Sequence, residues 1–183
     1  MAAAAPAAIL VALGSLLGQV GVGESPVEGG GQTHLPAAVR AMLDRDYPGW
    51  RPAGIAPQIA EWFRERGFRH EPDRIAADFD ADGAEDFAVS VRFSGLVERQ
   101  VVLAFLSRGD RFERHVLADD PPDPFIFLLL FARGTPDFDF ETMRPFRHAR
   151  DTVAIMYFQR NPLVFTYSDG SFRKKVMPSD EEI

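Results

Sequence analysis

The stretch Asp78-Phe79-Asp80-Ala81-Asp82-Gly83-Ala84-Glu85-Asp86, followed by Phe87-Ala88-Val89-Ser90-Val91-Arg92-Phe93, changes character at its midpoint. The first nine residues carry five carboxylates and no basic group. Charges packed this densely repel one another unless a cation or water screens them. In the seven that follow, Phe87, Val89, Val91 and Phe93 recur at every second position, the period of a strand and not of a helix. The acidic segment therefore reads as a loop that opens into a β-strand, which makes the following chain a sheet.

The spacing within the loop is regular. Counting Asp78 as the first position, aspartates stand at the first, third, fifth and ninth (Asp78, Asp80, Asp82, Asp86), with Gly83 at the sixth. Carboxylates at alternate positions turn inward, glycine permits the sharp reversal, and the backbone carbonyl of Ala84 supplies the seventh ligand; this is oxygen chemistry suited to Ca²⁺. A helix–loop–helix calcium site closes with Glu at the twelfth position. Val89 stands there instead, so Asp86 has to complete the shell. The loop-then-strand pattern resembles the calcium loops of FG-GAP and VCBS-type repeats over Ala77 to Val89. That resemblance implies a Ca²⁺ ligand set of Asp78, Asp80, Asp82, Ala84 and Asp86. It does not imply a propeller, which needs several four-stranded blades where this loop occurs once. Two other readings remain open. The loop is an Asp/Gly turn whose carboxylates accept backbone N–H bonds. Or Asp78 and Asp80 form a catalytic, Mg²⁺-dependent Asp-x-Asp; Ile75 to Asp80 looks similar to the first motif of haloacid-dehalogenase-type phosphatases, but departs from it at Asp82.

Length and composition set the frame. A chain of 183 residues with 46% hydrophobic and 26% charged content is long enough for one domain with a core. The net charge of −7 argues against nucleic acid or an anionic membrane as partner. Without cysteine there is no disulfide, thiol nucleophile or thiolate metal site. The four histidines, His34, His70, His115 and His148, lie far apart and read as surface residues. There is no Gly-x-Ser-x-Gly elbow and no phosphate-cradling Gly loop followed by Lys-Ser or Lys-Thr.

Residues 1–23 are uncharged, with an apolar run over 7–17 of signal-peptide length, though without the usual basic start. They predict export to the periplasm or the medium, with no membrane span after removal. Residues 24–33 read as a flexible linker. Helices are predicted from Leu35 to Asp46, with Leu35, Val39, Met42 and Leu43 on one face, and from Ala56 to Arg66, with Ile55, Ile59, Trp62 and Phe63 on one face, Pro57 at its start and Gly67 at its end. Strands follow. Gln100 to Ser107 and Phe112 to Ala118 form a hairpin turned at Arg108-Gly109-Asp110, a tripeptide also known as an integrin-recognition sequence and read here as a turn. Phe125 to Phe131 is apolar on both faces, a strand covered on both sides. Gly134 to Arg150 reads as loop, Asp151 to Phe158 as strand. Leu163 to Met177 is a hairpin whose Asp169-Gly170 turn sets Tyr167 opposite Phe172. Residues 179–183 are an acidic tail.

These elements predict an α+β domain over 34–178: two short N-terminal helices packed on a mostly antiparallel sheet of about five or six strands. The order of loop, helices and final hairpin resembles small exported bacterial proteins with one Asp-rich loop, a resemblance that implies export and no activity. The expected function is an exported non-catalytic protein with one structural Ca²⁺ site. The alternatives are a phosphatase-like hydrolase using Asp78 and Asp80, or a metal-free envelope module that binds a protein partner.

Overall fold

The computed structural model describes residues 34–139, 142–158 and 160–177. The predicted signal segment, the linker and the acidic tail lie outside the described residues. Two helices, α1 (Ala37–Asp46) and α2 (Pro57–Glu65), form where their apolar periodicity placed them. Among the described residues eleven strands are found: β1 (Arg51–Pro52), β2 (Arg74–Ala77), β3 (Asp86–Ser94), β4 (Glu98–Arg108), β5 (Arg111–Asp120), β6 (Phe127–Phe131), β7 (Pro136–Asp139), β8 (Arg144–Arg147), β9 (Thr152–Met156), β10 (Leu163–Ser168) and β11 (Ser171–Val176).

The expected fold class is corrected. The architecture is mostly β, with 47% of the described residues in strands and 13% in helices. There is not one sheet but three, and all their pairings are antiparallel. The first runs β1-β3-β4-β5, with β2 also paired to β3; the second runs β11-β10-β9-β6; β7 and β8 form a separate ribbon. The physical reason lies in the phase of the alternation. On β3 and β4, Phe87, Val89, Val91, Val101, Leu103 and Phe105 pack with Val39 and Leu43 of α1 on one face. The other phase, Ala88, Val102, Ala104 and Leu106, packs against Leu128, Val153, Ile155 and Phe165 of the second sheet. The second sheet has its own outer cluster, in which Phe127, Leu129, Ala154 and Val164 meet Trp62 and Phe63 of α2. Strands apolar in both phases have two faces to bury, and two sheets laid face to face, each capped by one helix, bury all of them. The helices therefore do not share a sheet.

The hairpins match their turn chemistry. Asp169 and Gly170 both have positive φ (51° and 79°), the conformation that follows strand twist, and Tyr167 pairs with Phe172. Gly109, at φ 72°, turns β4 into β5. The region 134–150, expected to be loop, contains the β7–β8 ribbon. Pro136 and Pro145 and its mixed charge hide the alternation of a strand pair.

Candidate metal site

The Asp-rich segment is the connection between β2 and β3, which pair from Arg74↔Val89 to Ala77↔Asp86. Phe79 is fully buried in the core between the sheets, its ring 6.3 Å from that of Phe172. It anchors the loop to the sandwich while Asp78 and Asp80 on either side remain half-buried. Gly83 adopts φ 87°, as its place in the spacing demanded, and Ala81 is also left-handed at φ 64°.

The structure brings three of the expected ligands together. One carboxylate oxygen from each of Asp78, Asp80 and Asp86 lies within 4.8 Å of the others, a group that could hold a metal ion. Asp82 is not part of that group. Its Oδ1 accepts from the Ala84 N–H at 2.8 Å, and its Oδ2 lies 3.7 Å from the Arg108 guanidinium. Ala84 is thus tied to the loop through its N–H.

Every aspartate in the loop also organises backbone. Asp78 accepts from the N–H groups of Asp82 (3.1 Å) and Gly83 (3.0 Å), and Asp80 from that of Asp82 (3.2 Å). Asp86, completely buried, accepts from Phe79 N–H at 2.9 Å and Ser107 N–H at 2.8 Å, one on each oxygen. Burial pushes its pKa up to about 6, against the pull of those two donors and with a further push from Asp80 and Asp82. A carboxylate oxygen has two lone pairs, so one backbone bond on each leaves capacity for a cation.

Three residues that sequence reasoning missed complete the surroundings. The Arg108 guanidinium bonds Asp80, Glu113 (3.2 Å) and the Tyr167 hydroxyl (3.3 Å). Its hydrogen bond to Asp80 is the main cause that raises its pKa above the ordinary value. The Asp151 carboxylate accepts from the N–H of Asp78 (3.1 Å) and of Arg133 (2.8 Å), which links the loop to the chain leaving β6. Arg150 donates to the Asp80 carbonyl at 3.3 Å. These residues lie 28 to 73 positions from the loop residues they bond, so no local spacing could announce them. Arg108 was visible only as a turn residue.

The histidines divide differently from expectation. His148 is buried, stacks on Phe131 at 5.1 Å and bonds Asp137 at 3.0 Å. His70 and His115 are half-buried among aromatic rings. Only His34 is exposed. Among the described residues no helix is long and apolar enough to cross a membrane. No family model, no curated protein and no solved structure matches this chain.

Proposed function

We propose that this chain is an exported, non-catalytic protein whose loop over 78–86 holds one structural Ca²⁺. The observation that carries the reading is the convergence of oxygens from Asp78, Asp80 and Asp86 within 4.8 Å on a loop that closes on its own backbone. A hard cation that accepts six to eight oxygen ligands suits carboxylates, carbonyls and water in such a loop. The cation neutralises the loop and fixes the angle at which β3 enters its sheet. The site is of the weak, extracellular kind, with a dissociation constant on the order of 10⁻⁴–10⁻³ M, because the closing Glu is absent.

Two observations weigh against the alternatives. A catalytic Asp78 needs to be aimed at a substrate, yet its two oxygens are turned onto the loop's own backbone, accepting from the N–H groups of Asp82 and Gly83. An interaction module needs an uncovered apolar sheet face, yet α1 and α2 cover the outer clusters of the two large sheets.

The test is thermal unfolding of the protein after EDTA, then with millimolar Ca²⁺ or Mg²⁺. A Ca²⁺-selective rise of several degrees, absent in Asp80→Ala, is the expected result, by mass action on the folded state. A rise with Mg²⁺ alone turns the reading toward the hydrolase. No rise with either ion leaves the loop as a turn.

A further inference from the structure

The net charge of −7 is a sum, and its parts are unevenly placed. Residues 127–177, which supply the second sheet and the β7–β8 ribbon, carry eight Lys and Arg against five Asp and Glu, where the whole chain has 20 against 27. The excess gathers on one side. Val164 belongs to the outer cluster beneath α2 and pairs with Lys175, so Lys175 points to that outer face. Its Nζ bonds Asp139 of the ribbon at 2.7 Å. His148, which follows β8, stacks on Phe131, and Phe131 packs against the same outer cluster. The ribbon therefore lies over the outer face of the second sheet, beside α2.

The acids of the ribbon are engaged, Asp139 with Lys175 and Asp137 with His148 at 3.0 Å. Its cations are not. Every residue of β8, Arg144-Pro145-Phe146-Arg147, is exposed. Among the described residues Arg133, Arg144 and Arg147 form no ion pair, and Arg173 of β11 reaches Asp169 only at 4.0 Å, with both side chains exposed. Arg147 donates to the Gly134 carbonyl at 2.7 Å, one bond of the five N–H groups it offers. Asp151, near Arg133, accepts backbone N–H groups. The neighbouring α2 balances Arg64 and Arg66 against Glu61 and Glu65. Two large apolar side chains stand among these arginines: Met143 is 69% exposed and Phe146 40%.

We propose that the outer face of the β7–β8 ribbon docks on an anionic lipid surface. Arg133, Arg144, Arg147 and Arg173 meet the headgroup phosphates, while Met143 and Phe146 enter the boundary between headgroups and acyl chains. Apolar side chains interleaved with arginines suit that boundary, where the long cationic stems also find apolar surroundings. A nucleic-acid strand offers its phosphates but no apolar layer for Met143. A peptide strand is disfavoured for a different reason: Pro136 and Pro145 remove an N–H donor from each strand of the ribbon. The acidic first sheet does not oppose the contact. Stacked sheets lie about 10 Å apart, close to the Debye length at 0.1 M salt, so a surface touching the ribbon meets the far layer screened.

The experiment floats the full chain in EDTA with vesicles of phosphatidylcholine alone or mixed with phosphatidylglycerol. Neutral vesicles report any affinity of the apolar run at 7–17, and the ratio of the two affinities is the quantity read. A ratio of about tenfold or more is expected at 0.1 M salt, falling at 0.5 M. One basic side chain at an anionic surface is worth roughly fivefold, so Arg144→Gln/Arg147→Gln lowers the ratio by about tenfold or more. Met143 has a left-handed backbone, at φ 53°, which Asn tolerates, so Met143→Asn removes the apolar group alone and weakens binding to the mixed vesicles by about threefold or more. Arg40→Gln, at an exposed position on α1, leaves the ratio unchanged. A wild-type ratio near one, or no fall in either ribbon variant, overturns the proposal. So does a single-stranded oligonucleotide that binds as tightly per phosphate as the mixed vesicles.

Discussion

Asp86 shows how one residue serves both the fold and the candidate site. Its position nine residues into the loop was legible; the two N–H groups it accepts were not, because Ser107 belongs to β4, 21 residues away. Asn offers a single acceptor oxygen and turns its NH₂ on one of the two donors, leaving a buried N–H unmet. Asp86→Asn is therefore expected to lower stability by about 1–3 kcal/mol in urea melts without metal near pH 4, where the folded carboxyl keeps its proton. The pH behaviour follows from the raised pKa. The unfolded group titrates near the ordinary carboxyl value of 3.8 and the folded one at about 6. The native state binds the extra proton between these values, so the contribution of Asp86 is full below the lower one and is lost as pH rises through about 6, by roughly 3 kcal/mol in all. Cation binding runs the other way, since the ligand has to lose its proton. Isothermal titration with Ca²⁺ is expected to give tighter binding at pH 7 than at pH 5; equal affinity at both would remove Asp86 from the ligand set.

At the scale of elements, the parts readable from sequence were those specified by neighbours. Pro57 and Gly67 bracket α2, Asp169-Gly170 fixes the register of β10 and β11, and the alternation after Asp86 marks β3. The β7–β8 ribbon escaped because its evidence lies in pairing, such as Asp139 with Arg144, and not in a run of apolar residues. The loop itself offers a test of local specification. A Cβ added at Gly83 meets nothing within 4 Å, so the effect of Gly83→Ala is that of the left-handed backbone alone. A loss of about 1–2 kcal/mol is expected in chemical denaturation. Ala81, also left-handed, supplies the opposite case: Ala81→Gly relieves that strain but adds unfolded-state entropy, and the net change is expected within about 1 kcal/mol of zero. A Gly83→Ala variant as stable as the wild type would show that the loop does not hold this turn in solution.

At the scale of the molecule, period-2 patterns revealed strands with two apolar faces but not how those faces are shared. A run such as Phe127 to Phe131 is equally content inside one sheet beneath two helices or within a sandwich beneath one. Tertiary pairing decides, and the sequence carries it only as the sum of many contacts. The candidate site sits where that pairing is secured. Asp151, just before β9, accepts from Asp78 in the loop of the first sheet and from Arg133 after β6 of the second. A cation that orders the loop therefore acts on both sheets through one carboxylate. Hydrogen exchange is expected to show this. Ca²⁺ slows exchange in β3 and also in β9 of the wild-type protein, because stabilising a bridged native state raises the free energy of opening for both. In Asp151→Ala the bridge is gone while Asp78, Asp80 and Asp86 remain. There Ca²⁺ slows exchange in β3 and leaves β9 nearly unchanged. If β9 gains the same protection in the variant, the sheets are coupled through their buried faces alone and the loop is a local clamp.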